Sequence, residues 1–266
     1  MQDIALIIST TLMYSTPLIF AALGGVFSEN SGIVNIGIEG MMTIGAFAGA
    51  AAGYMLGNPW LAFIIGGLAG GLFALVHALA TVTFNADHTI SGVAINLLAP
   101  GVALFASKIM FDGATMTPTI PMEQKIPRPL NGLFPSGSIL DTIFNAYATV
   151  FIAFILVAIT WYVLYKTKFG LRIRAVGEHP GAADTLGISV AKTRYAAVII
   201  SGILAGLGGA SMSLAVVSSF RPTLISGHGY IAMAAVIFGK WRPQWAMAAC
   251  LLFGFSTALS VYFGNP

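Results

Sequence analysis

Long runs of apolar residues, separated by short polar or glycine-rich stretches, extend along the chain from residue 4 onward. A helix that crosses a hydrocarbon core of about 30 Å needs about 20 mainly apolar residues. The runs that approach this length are residues 4–27, 33–56, 60–84, 90–106, 143–165, 195–217 and 245–263. A further run, 230–239, is too short to cross alone and follows the glycine-rich stretch 226–229, which favours a broken or re-entrant helix. The pattern predicts an all-α, polytopic transmembrane helical bundle of about eight membrane segments.

The positions of Lys and Arg predict how this bundle is oriented. Six of the twelve lie within 166–194, and Lys240 and Arg242 lie together in another connection. Because such residues concentrate in cytoplasmic loops, we expect both connections in the cytoplasm. The proline-containing segment 112–141 is then an extracytoplasmic loop. Counting the spans backward places the N-terminus on the extracytoplasmic side too. We expect residues 1–266 to form a single transmembrane domain, with further membrane-spanning sequence missing after Pro266.

Composition narrows the class of protein. The chain is 57% hydrophobic and only 8% charged, whereas soluble domains carry roughly 25% charged residues. Such a chain cannot cover a water-facing surface, so membrane lipid must be part of its solvent. The net charge of +3 gives no sign of nucleic-acid binding. A single cysteine, Cys250, excludes a disulfide framework, and no metal-ligand cluster or cofactor motif is evident.

Catalytic signatures are missing from the sequence. It contains no His-Glu-x-x-His, no Gly-x-Ser-x-Gly and no Gly-x-x-x-x-Gly-Lys-Ser/Thr phosphate loop. Gly239-Lys240 lacks the upstream glycine of such a loop, because Ala234 occupies that place. We therefore predict that the chain is not an enzyme and does not itself hydrolyse ATP.

The segment 30–42 carries a charge into the second apolar run. Asn35 and Glu39 are four residues apart, which predicts that they share one helical face. A charged side chain at the bilayer centre costs about 2.5–3.5 kcal/mol on insertion scales. Glu39 is therefore expected to face a polar pathway or another subunit. The alternative is that it lies near the membrane surface or caps a broken helix.

Two further polar residues are candidates for a solute pathway. Asn96 precedes Pro100 in the fourth run, where an amide beside a kink offers both a donor and an acceptor. His228 starts the short run between two glycines, as in discontinuous helices that line transport pathways. The alternative for Asn96 is a simple interhelical hydrogen bond. The candidate pathway residues are thus Asn35, Glu39, Asn96 and His228.

The segment 177–188 predicts a short helix outside the bilayer. Pro180 suits a first helical turn, Ala182 and Ala183 favour helix, and Gly187 can end it. Glu178 complements the positive N-terminal end of such a helix. A small helix flanked by basic residues fits a socket on a cytoplasmic partner. The alternative is a loop that only connects two spans.

These segments carry a family resemblance. Residues 32–40 read Gly-Ile-Val-Asn-Ile-Gly-Ile-Glu-Gly, and the glycine-rich stretches 200–210 and 227–239 accompany the segment 177–188. Together they resemble the permeases of the ribose and branched-chain amino acid ABC importer superfamily. Within it the chain looks most like bacterial nucleoside permeases. The resemblance implies a multi-pass subunit of the bacterial plasma membrane that carries nucleosides by alternating access.

The resemblance also implies partners. Residues 177–188 would be the coupling helix, docked to an ATP-binding cassette ATPase subunit. A second, often non-identical permease would complete the pore, and an extracytoplasmic substrate-binding lipoprotein would deliver the solute. A sugar or branched-chain amino acid permease of the same architecture remains an alternative. A stand-alone secondary transporter is a further one, although only Glu39 is an unambiguous titratable residue inside a run.

Overall fold

Helices make up most of the computed structural model, which describes residues 2–135 and 138–264, and the longest connection lies between Met110 and Ile139. Within these ranges the α-helices are α1 (Gln2–Asn30), α2 (Ile38–Leu56), α3 (Pro59–Ala78), α4 (His88–Met110), α5 (Ile139–Phe144), α6 (Ala148–Lys166), α7 (Lys168–Glu178), α8 (Pro180–Thr185), α9 (Val190–Ser211), α10 (His228–Phe238) and α11 (Pro243–Gly264). A π-helical turn extends α3 over Leu79–Thr83, and another extends α9 over Met212–Val216. The predicted all-α class is confirmed.

Among the residues that the structure describes, six helices are long and apolar enough to cross a membrane: α1, α3 with its π turn, α4, α6, α9 with its π turn, and α11. The helix α2 is not among them, and α10 is an apolar helix of 11 residues. The bundle is therefore polytopic as predicted. The number of membrane segments, about eight, stays a prediction.

Local capping sets where several helices begin. The Asn58 side chain accepts hydrogen bonds from Trp60 N and Leu61 N at the start of α3, where Pro59 occupies the first turn. Asp87 accepts from Ile90 N at 2.9 Å at the start of α4. Because a cap satisfies amide groups that have no partner in the first turn, these helices start a residue or two before their apolar runs.

The core lies where α1 and α9 pack against each other. Helix α3 packs on α9, α11 packs on α1, and α2 packs against both α3 and α9. Glycines permit the close approach: a Cβ added at Gly45 would lie 2.4 Å from the Gly206 oxygen, and one added at Gly70 would lie 2.3 Å from the Gly202 oxygen. As in other membrane bundles, small residues therefore hold the helices together by close backbone packing.

Replacing Gly206 with alanine is expected to lower the free energy of unfolding by about 1–3 kcal/mol, because overpacking forces neighbouring backbones apart. The added Cβ would lie 2.4 Å from the Gly66 oxygen. Denaturant unfolding of the detergent-solubilised chain measures this. The matched control is Gly101→Ala in α4, where the Cβ meets nothing within 4 Å. Equal destabilisation by both substitutions would contradict the packing argument.

One predicted helix begins later than expected. Residues 31–37 are not helical, and α2 starts only at Ile38. The Ser28 hydroxyl donates to the Ile33 oxygen and the Ser31 hydroxyl donates to the Ser28 oxygen, which turns the chain after α1. The prediction that Asn35 shares a helical face with Glu39 is wrong, because only Glu39 is in the helix.

The segment 166–194 is more helical than expected. It contains α7, α8 and the first turn of α9, whereas the sequence pattern predicted only the short middle helix. After α8, Ile188 N donates to the Ala183 oxygen and Gly187 N to the Asp184 oxygen. Gly187 has a φ of +77°, a left-handed conformation that favours glycine. This pair of bonds is the Schellman motif of a helix end.

Candidate functional site

The Glu39 carboxylate bridges the beginnings of two helices. Glu39 lies in the first turn of α2, and its two oxygens accept hydrogen bonds from Gly227 N and Gly229 N, each at 2.6 Å. These amides begin α10, where backbone donors lack helical partners and the helix dipole is positive. Glu39 therefore caps a broken helix, which is one of the two possibilities that the sequence left open.

The glycines around His228 are required by this geometry. Gly227 has a φ of +95°, which side chains with a Cβ rarely adopt. A Cβ added at Gly229 would lie 2.5 Å from the Glu39 Cα. The two glycines thus allow the carboxylate to reach the backbone of α10 directly.

Asn96 joins three parts of the chain. Its Oδ1 accepts from Gly40 N at 2.8 Å, and its Nδ2 donates to the Ile36 oxygen at 2.9 Å. The same Nδ2 lies 2.9 Å from the Tyr230 hydroxyl on α10. Asn96 thus connects neighbouring helices by hydrogen bonds. It also contacts the Tyr230 side chain, which is 49% exposed.

Asn35 belongs to a different contact. It is buried, and its Nδ2 donates to the Ser201 hydroxyl of α9 at 3.0 Å. Its Oδ1 is buried without a hydrogen-bond partner among the described residues. Asn35 therefore anchors the segment before α2 to α9, while Glu39 and Asn96 contact α10.

His228 is the first residue of α10 and is partly buried. Its Nδ1 contacts the Ile225 oxygen in the preceding turn. The structure thus brings three predicted residues, Glu39, Asn96 and His228, to the start of α10, and adds Tyr230. Sequence reasoning missed Tyr230, because no spacing rule links it to an asparagine 134 positions away.

This polar cluster, defined as Glu39, Asn96, Gly227, His228 and Tyr230, is only partly buried: Tyr230 is 49% exposed, and the other four residues are half-buried. Helix α10 has 11 residues and ends just before Lys240 and Arg242. At 1.5 Å per residue, its first turn is about 16 Å along the helix from that charged end, roughly half the thickness of a hydrocarbon core. Polar side chains around the start of a short apolar helix are typical of discontinuous helices at a transport site.

Comparison with known proteins gives the family. Residues 7–266 match the branched-chain amino acid transport system / permease component family. The chain is a permease of this family. It is therefore a transport component and a multi-pass integral membrane protein. No solved structure matches it.

Two relatives cover nearly the whole permease. The guanosine ABC transporter permease protein NupQ of Bacillus subtilis is 47% identical in an alignment that covers 98% of this chain and 83% of that protein. The nucleoside ABC transporter permease protein NupC of Lactococcus lactis subsp. cremoris is 43% identical in an alignment that covers 99% of this chain and 84% of that protein.

The short helix α8 of the permease presents a small surface. Pro180 starts it, Ala182 and Glu178 are exposed, and Ala183 is buried with 3% of its surface accessible. Leu186, just after the helix, is 80% exposed. An exposed alanine beside an exposed leucine offers an apolar contact for another protein, whereas Ala183 packs inward.

A second set of contacts connects the permease's α7 to α10. Trp241 follows α10, its indole nitrogen donates to the Glu29 carboxylate, and its carbonyl accepts from Asn30 Nδ2 at 3.2 Å. Gly177, in α7, packs so closely on Asn30 that a Cβ there would lie 2.2 Å from the Asn30 oxygen. A cavity of about 570 Å³ lies beside these contacts, and Arg174 also lines it. The end of α1 therefore contacts both α7 and the residues that follow α10.

Proposed function

We propose that the permease is the membrane subunit of an ATP-driven importer and forms the translocation pathway for nucleosides by alternating access. The observation that carries the transport role is the polar cluster, in which α2 and α10 both begin around the Glu39 carboxylate. The two relatives are named as guanosine and nucleoside permeases, which favours a nucleoside as the solute.

In this proposal Glu39, Asn96 and His228 line the translocation pathway, and Tyr230 lines it with them. Each makes polar contacts on or near α10, and dispersed contacts of this kind hold a solute weakly enough to release it. Asn35 has a supporting role, because it is buried against Ser201. Alternating access then requires the start of α10 to move relative to α2 and α4.

In this proposal residues 177–188 couple the permease to the ATPase. We place Glu178, Pro180, Ala182 and Gly187 at the contact with an ATP-binding cassette ATPase subunit, which hydrolyses the ATP. The sequence also predicted Ala183 at this contact, but its side chain is buried within the permease and can only support α8 from beneath. Closure of the ATPase would push α8, and the contacts of Gly177, Asn30 and Trp241 would pass the movement to α10. This arrangement places 166–194 in the cytoplasm and 112–141 outside.

The polar cluster is incomplete as a pathway wall. Tyr230 is 49% exposed on an open side of the cluster although its hydroxyl contacts Asn96, so we infer that another wall faces its ring. A second, non-identical permease would supply that wall, and an extracytoplasmic substrate-binding lipoprotein would deliver the solute. The assembly would lie in the plasma membrane of a bacterium.

Uptake by the assembled transporter in sealed vesicles tests the proposed function. Radiolabelled guanosine is expected to accumulate only with ATP on the ATPase side, and excess unlabelled nucleoside should compete with it. Glucose and leucine serve as matched competitors and should leave uptake unchanged. Competition by glucose would favour a sugar permease, and uptake without the ATPase would identify a secondary transporter.

A further inference from the structure

A basic groove lies on the outer surface of the bundle, where α6 ends and α11 begins. Two adjoining cavities form it, of about 730 and 450 Å³. Both are lined by Arg242 and Trp245. Lys240 lies at one side, and Trp161 of α6 lies at the other.

The charges of the basic groove are all positive. Among the described residues that line the two cavities none is acidic, while Lys240 and Arg242 both contribute cations. Lys166 adds a third nearby charge, with its ammonium 5.7 Å from the centre of the Trp161 ring. Lys240 also lines the neighbouring cavity of about 570 Å³ together with Glu29 and Glu178, whereas, of these three cavities, Arg242 lines only the two of the groove. Cations that line a cavity without an acidic residue favour an anionic ligand.

One wall of the basic groove is apolar and runs along helix α11, whereas Gln244 and Tyr165 line the end near α6. From Arg242 the wall continues along α11 through Ala248 and Ala249 to Leu252, which is 63% exposed. Ten residues of helix at 1.5 Å each make this wall about 15 Å long, close to the acyl depth of one leaflet. Trp161 and Trp245 lie at the charged end, where tryptophan is enriched at membrane surfaces.

We propose that the basic groove binds an anionic phospholipid, with its phosphate at Lys240 and Arg242 and an acyl chain along α11. The assignment rests on two features together: the cations at one end of the groove suit a phosphate, and the apolar wall has the length of an acyl chain in one leaflet. Basic pockets at the cytoplasmic ends of membrane helices bind such headgroups. A bound lipid would brace the turn between α10 and α11, whose Trp241 contacts Glu29.

Native mass spectrometry of the purified full chain tests the basic groove. The chain is titrated with phosphatidylglycerol or with phosphatidylcholine of the same acyl chains. Phosphatidylglycerol should be retained preferentially, and Lys240→Gln and Arg242→Gln should each reduce that preference about fivefold. Arg242→Lys should preserve it, and Lys192→Gln, an exposed lysine outside both cavities, should leave it unchanged.

Further measurements distinguish a bound phospholipid from other ligands of the basic groove. Ala248→Trp should fill the apolar wall and weaken retention of both lipids, and glycerol 3-phosphate should not displace phosphatidylglycerol. Displacement by glycerol 3-phosphate would overturn the proposal in favour of a free phosphate site. Equal retention of the two lipids, or loss of the bound lipid when the transporter assembles, would also overturn it, because another protein would then cover the groove.

Discussion

Replacing Ala182 with glutamate is expected to lower ATP-dependent uptake at least about a hundredfold while the permease still folds. Ala182 is exposed in the isolated chain, so the substitution costs the fold little. If α8 docks in the ATPase, the new carboxylate is buried there without a partner, which costs about 3 kcal/mol or more. Vesicle uptake and co-purification of the ATPase measure the effect.

The neighbouring alanine shows why the position matters. Ala183 is buried within the permease, so Ala183→Glu is expected to destabilise the chain itself and gives no information about docking. The matched control is Ala114→Glu, an exposed alanine in the segment after α4. Unchanged uptake with Ala182→Glu, at normal protein levels, would rule out the coupling role of α8.

Replacing Glu39 with glutamine should lower uptake by about 10- to 150-fold. Both carboxylate oxygens accept backbone hydrogen bonds at the start of α10, whereas glutamine offers one acceptor and directs an NH₂ group at the other donor. Loss of one hydrogen bond to a charged group costs about 1.5–3 kcal/mol, which corresponds to this range. Initial uptake rates in vesicles measure it.

The control for Glu39 is Glu123→Gln, the same change at an exposed acid in the turn Met122–Gln124. It should transport like the unmodified protein. Assembly with the other subunits is measured in parallel, so that a transport defect is not confused with lost assembly. Full uptake by the Glu39→Gln protein would show that the capped start of α10 has no part in transport.

Local patterns were sufficient to predict much of this fold. Apolar runs of membrane length gave the long helices, and Pro180 and Gly187 lie at the ends of the short helix α8 because their backbone preferences are strong and local. The late start of α2 was not predicted, because it depends on Ser28 and Ser31 turning the chain. The amphipathic α7 was overlooked among the basic residues that indicated a loop.

The candidate site was predicted only in part. Glu39 and His228 were identifiable because polar residues beside glycines are unusual in apolar runs. Their partners could not be identified, since Tyr230 meets Asn96 and Trp241 meets Glu29 only after distant segments pack together. The role of Glu39 as a cap depended on the same long-range contact with Gly227 and Gly229.

The polarity of α2 has a consequence for biogenesis. This helix carries Glu39 in its first turn and several glycines, and most of its residues are buried by its neighbours. The translocation machinery should therefore release it into lipid poorly on its own. Helix α3 follows after only Gly57 and Asn58, so the two are expected to insert together as a hairpin, with α9 arriving later to enclose them.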